Sequence, residues 1–311
     1  MSTVISGLPP DPILERRQLI QLRASQTMAR RTMTSRAVIA ALVAGVVISL
    51  IPLGSVLISL VAKGARLISW HFLSSLPTLP SLLHLNAVGG IWNAIAATLV
   101  IDLLAGVLAV PVGVIVGLYL ADTHTRPAHA LRAIVETMTG MPSILLGVFA
   151  YEYLVTTMKS YSGVAAVAAL SMLMVPVIAK AAELAFRSVP TTLREAALAL
   201  GARESRVARQ VVLPTALPGV VTGVLLAFAR AVGETAPVLL VVGPTISTLF
   251  NANPLHPMTP MPLLIYGYSN SQYPSQRAAA WGVALTLVFL VVLLTTTSRV
   301  ISSRMRRERR S

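Results

Sequence analysis

Arg230 and Glu234 stand four residues apart in the stretch Ala216–Val242, which is otherwise almost wholly apolar. On a helix that spacing puts both side chains on one face, where they can pair. A charge inside an apolar span is costly, by roughly 2.5–3.5 kcal/mol on insertion scales, so it faces a bundle interior or an aqueous path. Gly219, Gly223 and Ala227 precede the pair at four-residue intervals. Small residues so spaced mark close helix packing, and the charged face is expected to look into protein. A guanidinium can hold the oxygens of an oxyanion with parallel hydrogen bonds. Glu234 can neutralise that cation. Thr235, the next residue, adds a hydroxyl donor. The plainer role for the pair is a structural brace between helices.

A second constellation lies in a polar stretch. Glu195-Ala196-Ala197 is followed after three residues by Gly201, and after nine more by Val211, with Leu213-Pro214 beyond. Thr191–Leu200 reads as a short helix with Thr191 or Thr192 as N-cap and Glu195 in an early turn. Gly201 can supply the left-handed residue that ends it. Its small alanines let another protein's surface approach closely.

Other polar residues point to less. Asp102 is isolated in an apolar stretch and has no assignable role. Lys180, Glu183 and Arg187 form a ladder at a helix end and read as solvated. The five histidines have no ligand spacing, so no metal site is expected. With no cysteine in the chain, disulfides, thiol catalysis and zinc-thiolate sites are excluded. No Gly-x4-Gly-Lys-Ser/Thr phosphate loop is present, so no nucleotide or other cofactor is expected in this subunit.

These residues need a membrane scaffold. The 311 residues are 55% hydrophobic and 12% charged, against about 25% charged in a soluble domain. Long apolar runs without alternation predict an all-α, polytopic membrane protein. Six spans are expected, over about Ala37–Val61, Trp92–Leu120, Ala133–Thr156, Gly163–Ala182, Ala216–Val242 and Ala278–Ile301. A basic tail (1–36) precedes the first span (37–61), a connecting loop (62–91) follows, and a core (92–301) containing the loop 183–214 runs to a second basic tail (302–311). Gly113 and Gly117 read as a packing pair in the second span.

The net charge of +14 would suggest nucleic acid in a soluble chain. Here the basic residues fall in short segments between spans, and topology explains them. With a cytoplasmic N-terminus, 20 of the 25 lie inside: in Arg16–Arg36, Arg126–Arg132, Lys180–Arg209 and Arg299–Arg310. Lys63, Arg66, Lys159 and Arg277 fall outside. The bias predicts both termini in the cytoplasm. No cleavable signal peptide is expected. The tail Arg304–Arg310 reads as an anchor near anionic lipid. The outer loop from Gly243 to Arg277, rich in proline, is expected to be extended or turned.

The Glu195 constellation resembles the EAA loop of ABC-transporter import permeases, E-A-A-x3-G-x9-I-x-L-P, with Val211 in place of Ile. The segment from Phe228 to Pro237 resembles the A-R-x-x-G-E-T-A-P stretch of phosphate-importer permeases of the PstA type. Gly89–Ile95 and Thr139–Ile144 are similar to that family's G-G-I-x-N-A and G-x-P-S-I stretches. The likeness covers about residues 88–300. Ala97-Thr98 stands where many relatives have Gly-Thr, and Asp122 where many have Glu. The resemblance implies the type I importer fold and a non-catalytic permease subunit in a bacterial plasma membrane. It also implies a second, PstC-type permease, a PstB-type ATPase dimer that holds ATP-Mg, and an extracytoplasmic PstS-type phosphate-binding protein. Glu195, Ala196, Ala197, Leu200 and Gly201 would dock on the ATPase, and Arg230, Glu234 and Thr235 would line the path. Permeases for sulfate or molybdate are the alternative within the superfamily. An ion-coupled secondary carrier would have no use for the Glu195 loop.

Overall fold

In the computed structural model, residues 12–78, 89–123, 125–243 and 250–307 are described. The first eleven residues of the N-terminal tail, Pro244 and the last four residues of the C-terminal tail therefore lie outside the described residues. Thirteen helices can be followed, and among the described residues no strand forms. They are α1 (Pro12–Gly64), α2 (Trp70–Ser74), α3 (Trp92–Asp122), α4 (Arg126–Gly140), α5 (Ser143–Ala150), α6 (Thr156–Met158) and α7 (Gly163–Arg187). Then come α8 (Thr191–Ala199), α9 (Glu204–Val207), α10 (Leu213–Ala231), α11 (Ala236–Val242), α12 (Met261–Ser269) and α13 (Pro274–Arg307). A π-helical turn, Tyr151–Val155, joins α5 to α6, and another, Ala208–Val212, joins α9 to α10.

Five stretches are long and apolar enough to cross a membrane: Met33–Gly64, Trp92–Asp122, Gly163–Arg187, Glu204–Ala231 and Pro274–Thr297. Arg126–Gly140 with Ser143–Met158 makes a sixth, bent by 103° at Met141-Pro142. The expected third span is thus broken: Met141 takes an extended backbone with ψ 139°, which a following proline favours.

The chain divides into two units, Met1–Ser59 and Leu60–Ser311. The first is the long α1, helical from Pro12 rather than only from Ala37. Val38, Leu42, Val46 and Leu50 are all exposed. From Ala37 to Ser59 this helix is apolar on every side, as suits a helix in lipid.

The second unit is built on the pair α3 and α7. Ile101, Ala105 and Ala109 of α3 are buried with Leu170, Met174 and Ile178 of α7, and with Ala227 and Ala231 of α10. The pair Gly113 and Gly117 lies against α7: a Cβ at Gly113 would come within 2.8 Å of the Ile178 side chain, and one at Gly117 within 2.6 Å of Ala182. In lipid there is no hydrophobic drive between helices, so close backbone approach supplies the attraction. A second cluster joins Phe72, Ile91 and Ala94 to Met261, Leu264, Tyr268, Ala279 and Val283.

Two expectations fail. The proline-rich segment is not all extended: α12 starts at Met261 with Pro262 in its first turn and buries Met261, Leu263, Leu264 and Tyr268. Proline suits the first turn of a helix, where the missing donor has no partner to lose. Nor is Glu183 solvated. It is 9% exposed, and its Oε1 accepts from Arg132 at 3.1 Å and Arg187 at 2.9 Å. Arg132 and Arg187 also donate to the Leu120 carbonyl, at 2.9 and 3.2 Å. Two arginines and a carboxylate so satisfy an acceptor in the last turn of α3, which a helix end otherwise leaves unpaired.

The Gly89-Gly90-Ile91 stretch seats the other end of α3. Gly89 has φ +63°, which a residue with a Cβ rarely adopts, and a Cβ on Gly90 would meet the Ser75 carbonyl at 2.3 Å. The chain can then donate from Gly90 N to Leu76 O and from Ile91 N to Phe72 O, both at 2.9 Å.

Candidate functional site

The expected fifth span is interrupted where its charges lie. The helix α10 ends at Ala231 and α11 begins at Ala236. Pro237 has no N–H, and its ring would clash with the carbonyl of Gly233 in a continuous helix. The chain instead turns tightly, with Gly233 N donating to Arg230 O at 3.1 Å and Glu234 N to Ala231 O at 3.0 Å. Leu239 N donates to Thr235 O at 2.9 Å and starts the next helix.

Across this break Arg230 Nε donates to Glu234 Oε1 at 3.4 Å. The contact is long and single. The Arg230 side chain makes no other hydrogen bond or ion pair among the described residues, so most of the guanidinium's five donors stay unengaged. The side chains differ in exposure, 45% for Arg230 and 18% for Glu234. The small-residue stripe accounts for the difference. Gly219 and Gly223 abut Ala185 and Ala181 of α7, and a Cβ at Gly223 would sit 2.2 Å from that of Ala181. The stripe continues through Ala227 to Ala231, both buried. Arg230 lies about 100° round the helix from Ala231, off the packed stripe, on a surface open to another molecule.

Glu234 turns the other way. With Thr98, Ile101 and Asp102 of α3, Ala231, Pro260 and Pro262, it lines a small cavity of about 10 Å³. Asp102 is 5% exposed and makes no hydrogen bond or ion pair among the described residues. The segment therefore presents a cation outward and a carboxylate inward, and Asp102 of α3 lines the same cavity as that carboxylate. Thr235 is half-buried beside them, and its hydroxyl makes no hydrogen bond among the described residues.

The second constellation is a helix built for display. No residue of α8 is buried; Leu200 is 89% exposed, and Leu193 and Leu198 are also exposed. Glu195 and Ala196 are exposed as well, while Ala197 is half-buried against the cluster of Val207 and Val212. Neither Thr191 nor Thr192 caps the helix. Pro190 holds the N-cap position without a side-chain bond, and Leu193 N donates to its carbonyl at 3.2 Å. The C-terminus is closed by Gly201 at φ +81°. Gly201 N donates to Leu198 O at 2.9 Å and Ala202 N to Ala197 O at 3.2 Å, the paired bonds of a Schellman cap. One side chain of this helix reaches another element: Arg194 Nη1 lies 2.7 Å from Asp122 Oδ1 at the end of α3.

Sequence reasoning missed Arg132, Asp122 with Arg194, and Asn93 and Thr98, whose side chains hold the segment leading to α12. The family likeness had marked three of them, Asn93 in the G-G-I-x-N-A stretch and Thr98 and Asp122 at the departures, without giving any of them a structural role. Among the described residues no cluster of three or more metal-ligating side chains occurs.

Residues 109–307 match the family model described as binding-protein-dependent transport system inner membrane component. Phosphate transport system permease protein PstA 1 of Mycobacterium tuberculosis (strain ATCC 25618 / H37Rv) is 36% identical over 272 residues, which is 85% of this chain and 86% of that protein. The phosphate transport system permease protein PstA of Yersinia pestis is 34% identical over 249 residues, covering 79% and 82%. Among solved structures, a chain of the inward-facing MetNI methionine ABC transporter superposes with a TM-score of 0.53 at 28% identity, over 70% of this chain and 94% of that one.

Proposed function

The chain belongs to the family of binding-protein-dependent transport system inner membrane components, and from that membership we propose that it is the permease subunit of an ATP-driven phosphate importer. The observation that carries the substrate is the identity, over about four fifths of the chain, with permeases named for phosphate transport. The fold of a multi-pass ABC importer permease accompanies it. Such a permease works with an ATPase and a substrate-binding protein, and it carries no hydrolytic site of its own.

In the finer reading the partners are a PstC-type permease, a PstB-type ATPase dimer loaded with ATP-Mg, and a PstS-type phosphate-binding protein. Both termini lie in the cytoplasm of a bacterial plasma membrane. Glu195, Ala196, Ala197, Leu200 and Gly201 dock on the ATPase. The exposure of Leu200 and the absence of any buried residue in α8 support this, since such a helix needs an outside partner.

Arg230, Glu234 and Thr235 line the path. Phosphate leaving water needs a cation, and Arg230 offers a guanidinium with donors to spare. In the resting state Glu234 offsets its charge. When phosphate arrives, Arg230 transfers its hydrogen bonds to the anion, and Glu234 accepts a hydrogen bond from a protonated phosphate oxygen, which sulfate lacks at neutral pH. Thr235 donates a further hydrogen bond. The test is ATP-dependent uptake of labelled phosphate by the purified complex in vesicles, with sulfate and molybdate as competitors. Uptake that excess sulfate leaves unchanged is expected. Uptake of sulfate or molybdate in preference to phosphate would replace the substrate.

A further inference from the structure

The helix α3 is held at both ends by side chains that the transport reading does not use. At one end Asp122 Oδ1 receives Arg194 Nη1 of α8 at 2.7 Å. The Leu120 carbonyl beside it accepts from Arg132 of α4 and Arg187 of α7, and Glu183 ties those two arginines together. At the other end Asn93 Oδ1 accepts from Asn251 N at 3.0 Å. Thr98 Oγ1 accepts from Met261 N at 2.9 Å while donating to Ala94 O at 2.8 Å. Asn93 and Thr98 are each 2% exposed.

Between these pins the helix has little freedom to slide alone. Gly113 and Gly117 lie directly on α7, and Gly106 on the ring of Phe228 from α10. Its 31 residues span about 46 Å. Asp102 sits on this rod, facing the cavity it shares with Glu234, and Pro260 and Pro262 on the far side of that cavity belong to the segment pinned by Thr98. A displacement of α3 by the small amounts helices make at interfaces, about 1–2 Å, would move both walls around Glu234.

We propose that α3 is a strut carrying displacement of α8 to the 250–261 segment and the Glu234 cavity, with Asp122 and Arg194 as the positioning residues that connect it. The proposal rests on the reading of α8 as the ATPase-docking helix. The pair is a poor candidate for a stability device. Its side chains are 39% and 31% exposed, and exposed ion pairs contribute little to folding. Nor does α8 need it for continuity, since the chain itself links α8 to α7 and α10. What the pair adds is a connection from α8 to a helix that is not its neighbour in sequence. Coupling between distant sites needs such a physically continuous, packed element.

The test uses the complete transporter with its native binding protein, reconstituted in vesicles, and reads ATP hydrolysis with and without that protein alongside uptake. Asp122→Asn and Arg194→Gln are expected to assemble, to melt with the wild-type complex and to keep basal hydrolysis, but to lose stimulation by the binding protein by about fivefold or more. The exchange Asp122→Arg with Arg194→Asp is expected to restore most of that stimulation. Asn93→Ala, at the opposite end of the rod, is expected to lose it as the first two do. Single variants stimulated as strongly as wild type, or an exchange no better than the singles, would overturn the strut. The readings beneath it fail differently. A wrong substrate appears in the wild-type complex, as stimulated hydrolysis without phosphate uptake. A wrong docking helix appears as Glu195→Lys coupled like wild type.

Discussion

Arg230 and Glu234 form one 3.4 Å contact across a helix break, half exposed on the cation's side. The single long contact leaves most of the guanidinium's donors unengaged, which supports the proposed role toward a ligand. Arg230→Ala and Glu234→Ala are each expected to abolish phosphate uptake while the complex assembles and melts normally. Arg230→Lys should fall between, because a point charge loses the forked geometry that holds two phosphate oxygens. Lysine activity equal to wild type, measured as uptake per complex, would contradict bidentate holding. The four-residue spacing of this pair was legible in the sequence because it is local. The hub at Glu183 was not. Its partner Arg132 lies 51 residues away, and no local pattern distinguishes a helix-end carboxylate in water from one gripped by two arginines.

Elements were legible to the extent that hydropathy and turn chemistry agreed. The spans that became α3, α7 and α13 were located to within a few residues, because their apolar runs are long. The third and fifth were read as continuous but are broken at Pro142 and just before Pro237, whereas Pro111, Pro176 and Pro218 sit inside unbroken helices, so neither hydropathy nor proline alone marks the breaks. The opposite error occurred at α12, where prolines suggested a loop but two of them sit at a helix start. Gly201 was read correctly as a left-handed residue. A Cβ there would meet nothing within 4 Å, so any cost of substitution is conformational alone. Gly201→Ala is expected to cost roughly 1–2 kcal/mol locally and to loosen α8, lowering phosphate transported per ATP hydrolysed. Gly201→Asn should lower it less, since asparagine tolerates that backbone better. Equal coupling in the alanine, asparagine and wild-type complexes would show that the cap does not set the docking geometry.

The whole molecule is an incomplete one. Val38, Leu42, Val46 and Leu50 of its first unit are exposed, no residue of α8 is fully buried, and the Arg230 side chain is 45% exposed. On the proposed function these surfaces would meet lipid, an ATPase and a second permease. The bias of the basic residues is the ground for expecting a cytoplasmic C-terminus, so a reporter fused after Ser311 is expected to be active only in the cytoplasm. Activity outside would reverse the topology and place α8 where no ATPase can reach it. The central claim is that phosphate crosses the assembled importer on the Arg230–Glu234 pair. The most direct measurement is ATP-driven phosphate uptake by vesicles holding the full complex with Arg230→Met and Glu234→Leu combined. A buried or half-buried ion pair that only braces can be exchanged for apolar packing of similar volume. The account predicts an assembled complex with no uptake above the level without ATP; uptake near the wild-type rate would contradict it and leave the pair as a brace.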